Sequence, residues 1–110
     1  MSHIPVLTSE QVAGKQISQH LGLVRGNVIR SRHLGKDILA VFRMIVGGEI
    51  SEYTKLMAES REQALDRMVD EARELGADAI VGVRFTTSML ARGAAELLVF
   101  GTAVKFESDT

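Results

Sequence analysis

Cysteine and tryptophan are absent from this 110-residue chain, proline occurs once, and only five residues are aromatic. Without cysteine there is no disulfide, no thiolate metal site and no thiol nucleophile. The single proline, Pro5, leaves no Pro-rich linker. With so few aromatics the core has to be aliphatic, built from Leu, Ile, Val, Met and Ala. No apolar run approaches the ~20 residues that span a bilayer. Residues 1–12 show neither the basic start nor the apolar stretch of a signal peptide. The net charge is −1, so bulk attraction to nucleic acid or to anionic membranes is not expected. These absences leave a soluble cytoplasmic protein as the expectation. The length suits one domain, residues 1–110, with a core of its own and no room for a second.

What is present has clear periodicity. Residues 4–10 read as an opening strand, with Pro5 tolerated at its start. A second extended region alternates Val24, Gly26, Val28 and Arg30 with Leu23, Arg25, Asn27 and Ile29, and Gly22 and Gly26 suggest bends or bulges. Apolar residues at 34, 38, 41, 42, 45 and 46 predict a short helix. A longer one is predicted over 49–75, where Ile50, Tyr53, Met57, Ala64, Met68, Ala72 and Leu75 share one face. Gly76 suits the left-handed residue that ends such a helix. Two strands follow, joined near residue 90. In the first, Val81, Val83 and Phe85 face one way, and Ile80, Gly82, Arg84 and Thr86 the other. In the second, Leu98, Phe100, Thr102, Val104 and Phe106 share one face, and the other, Ala95, Leu97, Val99, Gly101 and Ala103, is also apolar. An antiparallel strand with one wet face should alternate with polar residues. One helix layer covers one face, so a second copy of the chain is expected on the other. The pattern predicts an α+β fold in two layers, an antiparallel sheet with one long and one shorter helix on one face.

Chemistry-bearing residues are sparse. His3, His20 and His33 show no metal-ligand spacing. Glu62, Asp66, Asp70 and Glu74 form an i, i+4 ladder opposite the apolar stripe, with Arg67 and Arg73 as counter-charges, so they read as a solvated ridge. Segment 25–43 carries five bases and one acid, segment 49–78 nine acids and four bases. Arg30, Arg32, His33, Lys36 and Arg43 are therefore candidate ligands for an acidic or phosphorylated molecule. The opposite charges equally suit packing between copies. No nucleophile elbow or phosphate loop occurs, and no catalytic residue is assigned. With a hairpin turn near 90, Arg84 would face Glu96 as a structural pair, within one chain or across an interface. Gly82 marks a place where something approaches closely, and Gly76, Gly82 and Gly101 join Arg84 and Glu96 as structural or interface candidates.

Several stretches carry a resemblance. They are "LGLVRGNVIRSRHLGKDILAVFRMIVGGE", "GGEISEYTKLMAESREQALDRMVDEARELGADAIVGVRFTTS" and "AAELLVFGTAVKF". Together, over roughly residues 6–106, the chain resembles the YbjQ-type family of small bacterial and archaeal proteins, which also bears a heavy-metal-binding label. It departs at Asp78 and Phe100, where the family often has Asn and Tyr. The resemblance implies a dodecin-subunit-like α+β chain that assembles into a ring, a homopentamer. It brings no mechanism, and only its label implies a heavy metal. The reading is a non-enzymatic ring-forming protein that binds a small ligand or ion between subunits. The alternatives are a heavy-metal-binding protein and an enzyme acting on an acidic or phosphorylated metabolite.

Overall fold

A computed structural model describes residues 3–31, 50–91 and 94–108. Its elements are β1 (Ile17–Ser31), α1 (Ile50–Glu74), β2 (Ala79–Ala91) and β3 (Ala94–Phe106). The fold is α+β: an antiparallel sheet in the order β1-β3-β2 with α1 against one face. β3, apolar on both faces, is the central strand, as a strand buried on two sides should be. The shorter helix expected over 34–46 lies outside the described residues. The opening strand takes a different form from the one expected. Residues 5–9 run parallel to the outer edge of β2, with a bridge between Val6 and Ile80. They are held by backbone hydrogen bonds that link Leu7 and Pro5 to Ile80, Ser9 to Gly82 and Leu7 to Val83.

α1 starts within a residue of the predicted position, and a hydrogen-bonded cap ends it. Gly76 adopts φ 77°. Its N–H donates to the Arg73 carbonyl, and the Ala77 N–H donates to the Ala72 carbonyl. That pair of bonds closes the last turn around a left-handed glycine, a conformation with little penalty for a residue lacking Cβ. Ala64, Met68 and Ala72 are buried as the stripe predicts, and Ser60 continues the same face one turn earlier. Leu75, also placed on that stripe, is 45% exposed, because it follows the last helical residue and leaves the helix axis. α1 lies mainly across β1, less over β3 and scarcely over β2. Gly26 is the point of closest approach rather than a bend. A Cβ there would meet the Ala64 carbonyl oxygen and lie 2.6 Å from the Met68 backbone nitrogen.

The core between helix and sheet joins Val24, Val28, Ala64, Met68, Ala72, Ile80, Val83, Val99 and Ala103. Ile80 and Val83 are on the same side, which corrects the strict alternation expected of β2. The reason is a bulge. Val81 pairs with Thr102 and Arg84 with Phe100, so three steps on β2 match two on β3. Gly82 carries the irregularity at φ 63°, and nothing lies within 4 Å of where its Cβ would be. Its role is conformational, not the close approach the sequence suggests. The close approach is across the ladder at Gly101, where a Cβ would be 2.8 Å from Ile80 Cγ2 and 2.9 Å from Val83 Cγ2.

Candidate functional site

Among the described residues, the sheet face turned away from α1 is the more open one. Register places Arg25, Phe100 and Arg84 in one row across it, Asn27, Leu98 and Thr86 in the next, and Ile29, Glu96 and Ser88 in a third. Leu23 and Ile29 are 61% and 50% exposed on this side. Among the described residues, a cover lies over its far end. There Ala79, Val81 and Val104 are buried, and Val12, Ile17 and Phe106 pack against them.

That cover creates a groove of about 750 Å³ between segment 10–17 and the sheet. Its apolar base is formed by Val12, Ile17 and Val81. Glu10, Lys15, His20 and Thr102 supply its polar lining, together with the amides of Gln11 and Gln16. A turn shapes the wall: the Lys15 N–H donates to the Val12 carbonyl, with Gly14 at φ 76°. A bulge in β1 between His20 and Gly22 places Leu21 as the extra residue, so His20 stays on the open face beside Val104 while Gly22 turns to the helix side. Sequence reasoning missed the groove because residues 9–16 have no apolar period. Ser9 and Gly14 were the available turn signals.

Arg84 is tied to segment 5–9 and not to Glu96. Its Nη1 donates to the carbonyl oxygens of Thr8 and Val83, 2.8 Å in each case. Glu96 pairs in register with Ser88 and Ile29, and its Oε2 accepts a 3.0 Å bond from Asn27 Nδ2. The expected pair fails at the turn end of the hairpin. The strands end at Ala91 and resume at Ala94, past the assumed turn, and a further register shift between Met89 and Ala91 lies on the same side of Arg84. Arg67 likewise leaves the acid ladder and donates from Nη1 to the Asn27 carbonyl. Arg73 keeps the expected contact with Asp70, 3.8 Å apart on an exposed surface, where such a pair contributes little. Glu62, Asp66, Asp70 and Glu74 are exposed, as the ridge reading expects.

Arg30 sits near the end of β1 opposite Ala95. Arg32, His33, Lys36 and Arg43 lie outside the described residues. A soft heavy-metal ion calls for thiolate or clustered imidazole donors. The chain has no cysteine, and among the described residues no three His, Asp or Glu side chains come together. The residues described within one subunit do not fit such an ion. No helix among them is long and apolar enough to cross a membrane.

The fold and groove define a class: small α+β chains with one helix-covered sheet face and one open one. The chain belongs to the YbjQ-type family, whose model, described as "Putative heavy-metal-binding", matches residues 4–107. Among similar proteins, a UPF0145 protein of Methanosarcina acetivorans is 53% identical over 91% of this chain and 94% of its own. One from Archaeoglobus fulgidus is 54% identical over 93% of this chain and 94% of its own. The crystal structure of a DUF74-family protein of unknown function from Pediococcus pentosaceus superposes with a TM-score of 0.63 at 17% identity. The match covers 94% of this chain and 98% of that one, a likeness of fold.

Proposed function

We propose that this protein is a non-enzymatic, cytoplasmic homo-oligomer, a pentameric ring, that holds a small ligand or ion. The carrying observation is the open sheet face, with Leu23 and Ile29 exposed beside the half-buried Leu98 and Phe100. The dimensions support it. The accessible surface is 7833 Å², whereas a monomer of this mass should expose about 6,000 Å². Each ring subunit makes two contacts, and a standard contact covers about 800 Å² per partner, so the excess is of the size that two such contacts would cover. The basic 25–43 and acidic 49–78 segments provide opposite charges for that packing.

Light scattering on the eluting protein tests this directly. The expected mass is five times the 12.0 kDa of one chain. A species of 12.0 kDa at all concentrations overturns the assembly. Replacing Leu23 and Ile29 together by Glu is expected to shift the mass toward the single chain.

A metal-binding role is the second reading, favoured by His20 and Glu10 lining one groove. Because one subunit supplies too few donors there, the metal would need equivalent side chains from other copies. Titration of the assembled protein with Zn²⁺ and Cu²⁺ decides it, and no uptake ends the metal reading.

A further inference from the structure

The groove under segment 10–17 has a charge arrangement that limits its guest. Glu10 and Lys15 line the same hollow with opposite charges. Among the described residues neither makes an ion pair, and the side chains of Gln11, Gln16, His20 and Thr102 make no hydrogen bond. Lys15 Nζ stands 5.8 Å from the centre of the Phe106 ring, an aromatic face that packs in the same apolar cluster as Val12, Ile17 and Val81. Beneath are the aliphatic groups of Val12, Ile17 and Val81.

Three ligand classes can be compared with this set. A bare divalent cation would meet one carboxylate and one imidazole, with an ammonium opposing it. A phosphate would meet one ammonium, with a carboxylate opposing it, and no array of backbone N–H groups to cradle it. A molecule carrying both charges meets a partner at each end, and neither protein charge then opposes it. The free amides and hydroxyl supply further hydrogen bonds, and the apolar base accepts a short aliphatic body.

We infer that the groove between segment 10–17 and the open sheet face binds a small amino-acid-like zwitterion. Glu10 takes its ammonium, Lys15 its carboxylate, and Val12, Ile17 and Val81 its aliphatic side chain. This rests on the ligand-binding half of the proposed function and gives it a chemical class and a place. The groove is built from one chain, so assembly and binding are tested separately: light scattering reads the first, titration the second.

The experiment is calorimetric titration of the full chain with L-leucine, N-acetyl-L-leucine and L-leucinamide. Leucine is expected to bind at one site per chain, and blocking either end to weaken binding about tenfold or more, or roughly 1.4 kcal/mol. Glu10→Gln should bring leucine down to the affinity of N-acetyl-leucine while leaving N-acetyl-leucine unchanged. Lys15→Met should do the same with respect to leucinamide. Both side chains are exposed, and unchanged thermal melts will confirm that the variants fold. No binding of leucine up to ~10 mM overturns the inference. So does equal affinity for the blocked and free forms, or binding that neither substitution alters.

Discussion

Gly26 and Gly82 differ in what a methyl group would encounter, and the difference can be measured. At Gly26 the added Cβ runs into helix backbone at Ala64 and Met68, which cannot rotate away. Gly26→Ala should therefore lift α1 from β1 and lower stability by about 3 kcal/mol or more, since overpacking against side chains already costs about 1–3. At Gly82 there is open space, and only the left-handed φ of 63° opposes a side chain. Gly82→Ala should lower stability by about 1–2 kcal/mol, the cost of that conformation for an L-residue. Urea unfolding of the two variants checks the order, and equal losses would contradict this account. Arg84 makes a third case. Arg84→Met removes the bond to Thr8, so amide exchange should quicken along residues 7–9. Because Glu96 bonds to Asn27 instead, the stability effects of Arg84→Met and Glu96→Gln should add to within about 0.5 kcal/mol. A larger coupling would restore the Arg84–Glu96 pair within the chain or between copies.

At the scale of elements, α1 is held by a narrow line of small and medium side chains. Met68 is fully buried among Val24, Val28 and the alanines, so Met68→Ala should lower stability by about 2–5 kcal/mol. Glu62→Ala, on the exposed ridge, should change it by no more than about 0.5 kcal/mol. Calorimetric melts of the two variants compare the faces. This helix was legible in the sequence because a 3.6-residue period, sustained over many turns and ended by Gly76, admits one geometry. The faces of β2 were less legible. A glycine in a strand marks either a bulge or a close approach, and alternation alone does not separate them. Gly82 is the bulge and Gly101 the close approach, and reading Gly82 as a close approach put Val83 and Phe85 on the wrong face. The partner of Arg84 was lost separately, to a turn placed too early, since register propagates along a whole strand. The groove wall was not legible, because it is set by a turn at Gly14 and by pairing of residues 5–9 with β2, more than seventy positions away.

At the scale of the molecule, the extents of 59 × 25 × 23 Å and a radius of gyration of 17.4 Å stand against about 13 Å for a compact chain of this length. An elongated body with a long sheet has more face than one helix can cover. Phe85, in register with helix-side Val99, is 45% exposed because α1 hardly reaches β2. If copies cover these faces, the melting temperature should rise with protein concentration, as mass action requires of a linked assembly. A melt independent of concentration over a hundredfold dilution, with the 12.0 kDa mass throughout, would leave the open face solvated.

The order β1-β3-β2 also sets a timetable for synthesis. The central strand is β3, made after both of its neighbours. Until Ala94–Phe106 has left the ribosome, β1 and β2 have no common partner, and their apolar residues wait unpaired beside α1. The sheet then closes in one late step: a local hairpin of β2 and β3, followed by capture of β1, which is far from β3 in sequence, the slow kind of contact. A nascent chain stalled before residue 94 would hold a helix without its sheet. That is the interval in which this protein is most exposed to aggregation and to chaperones.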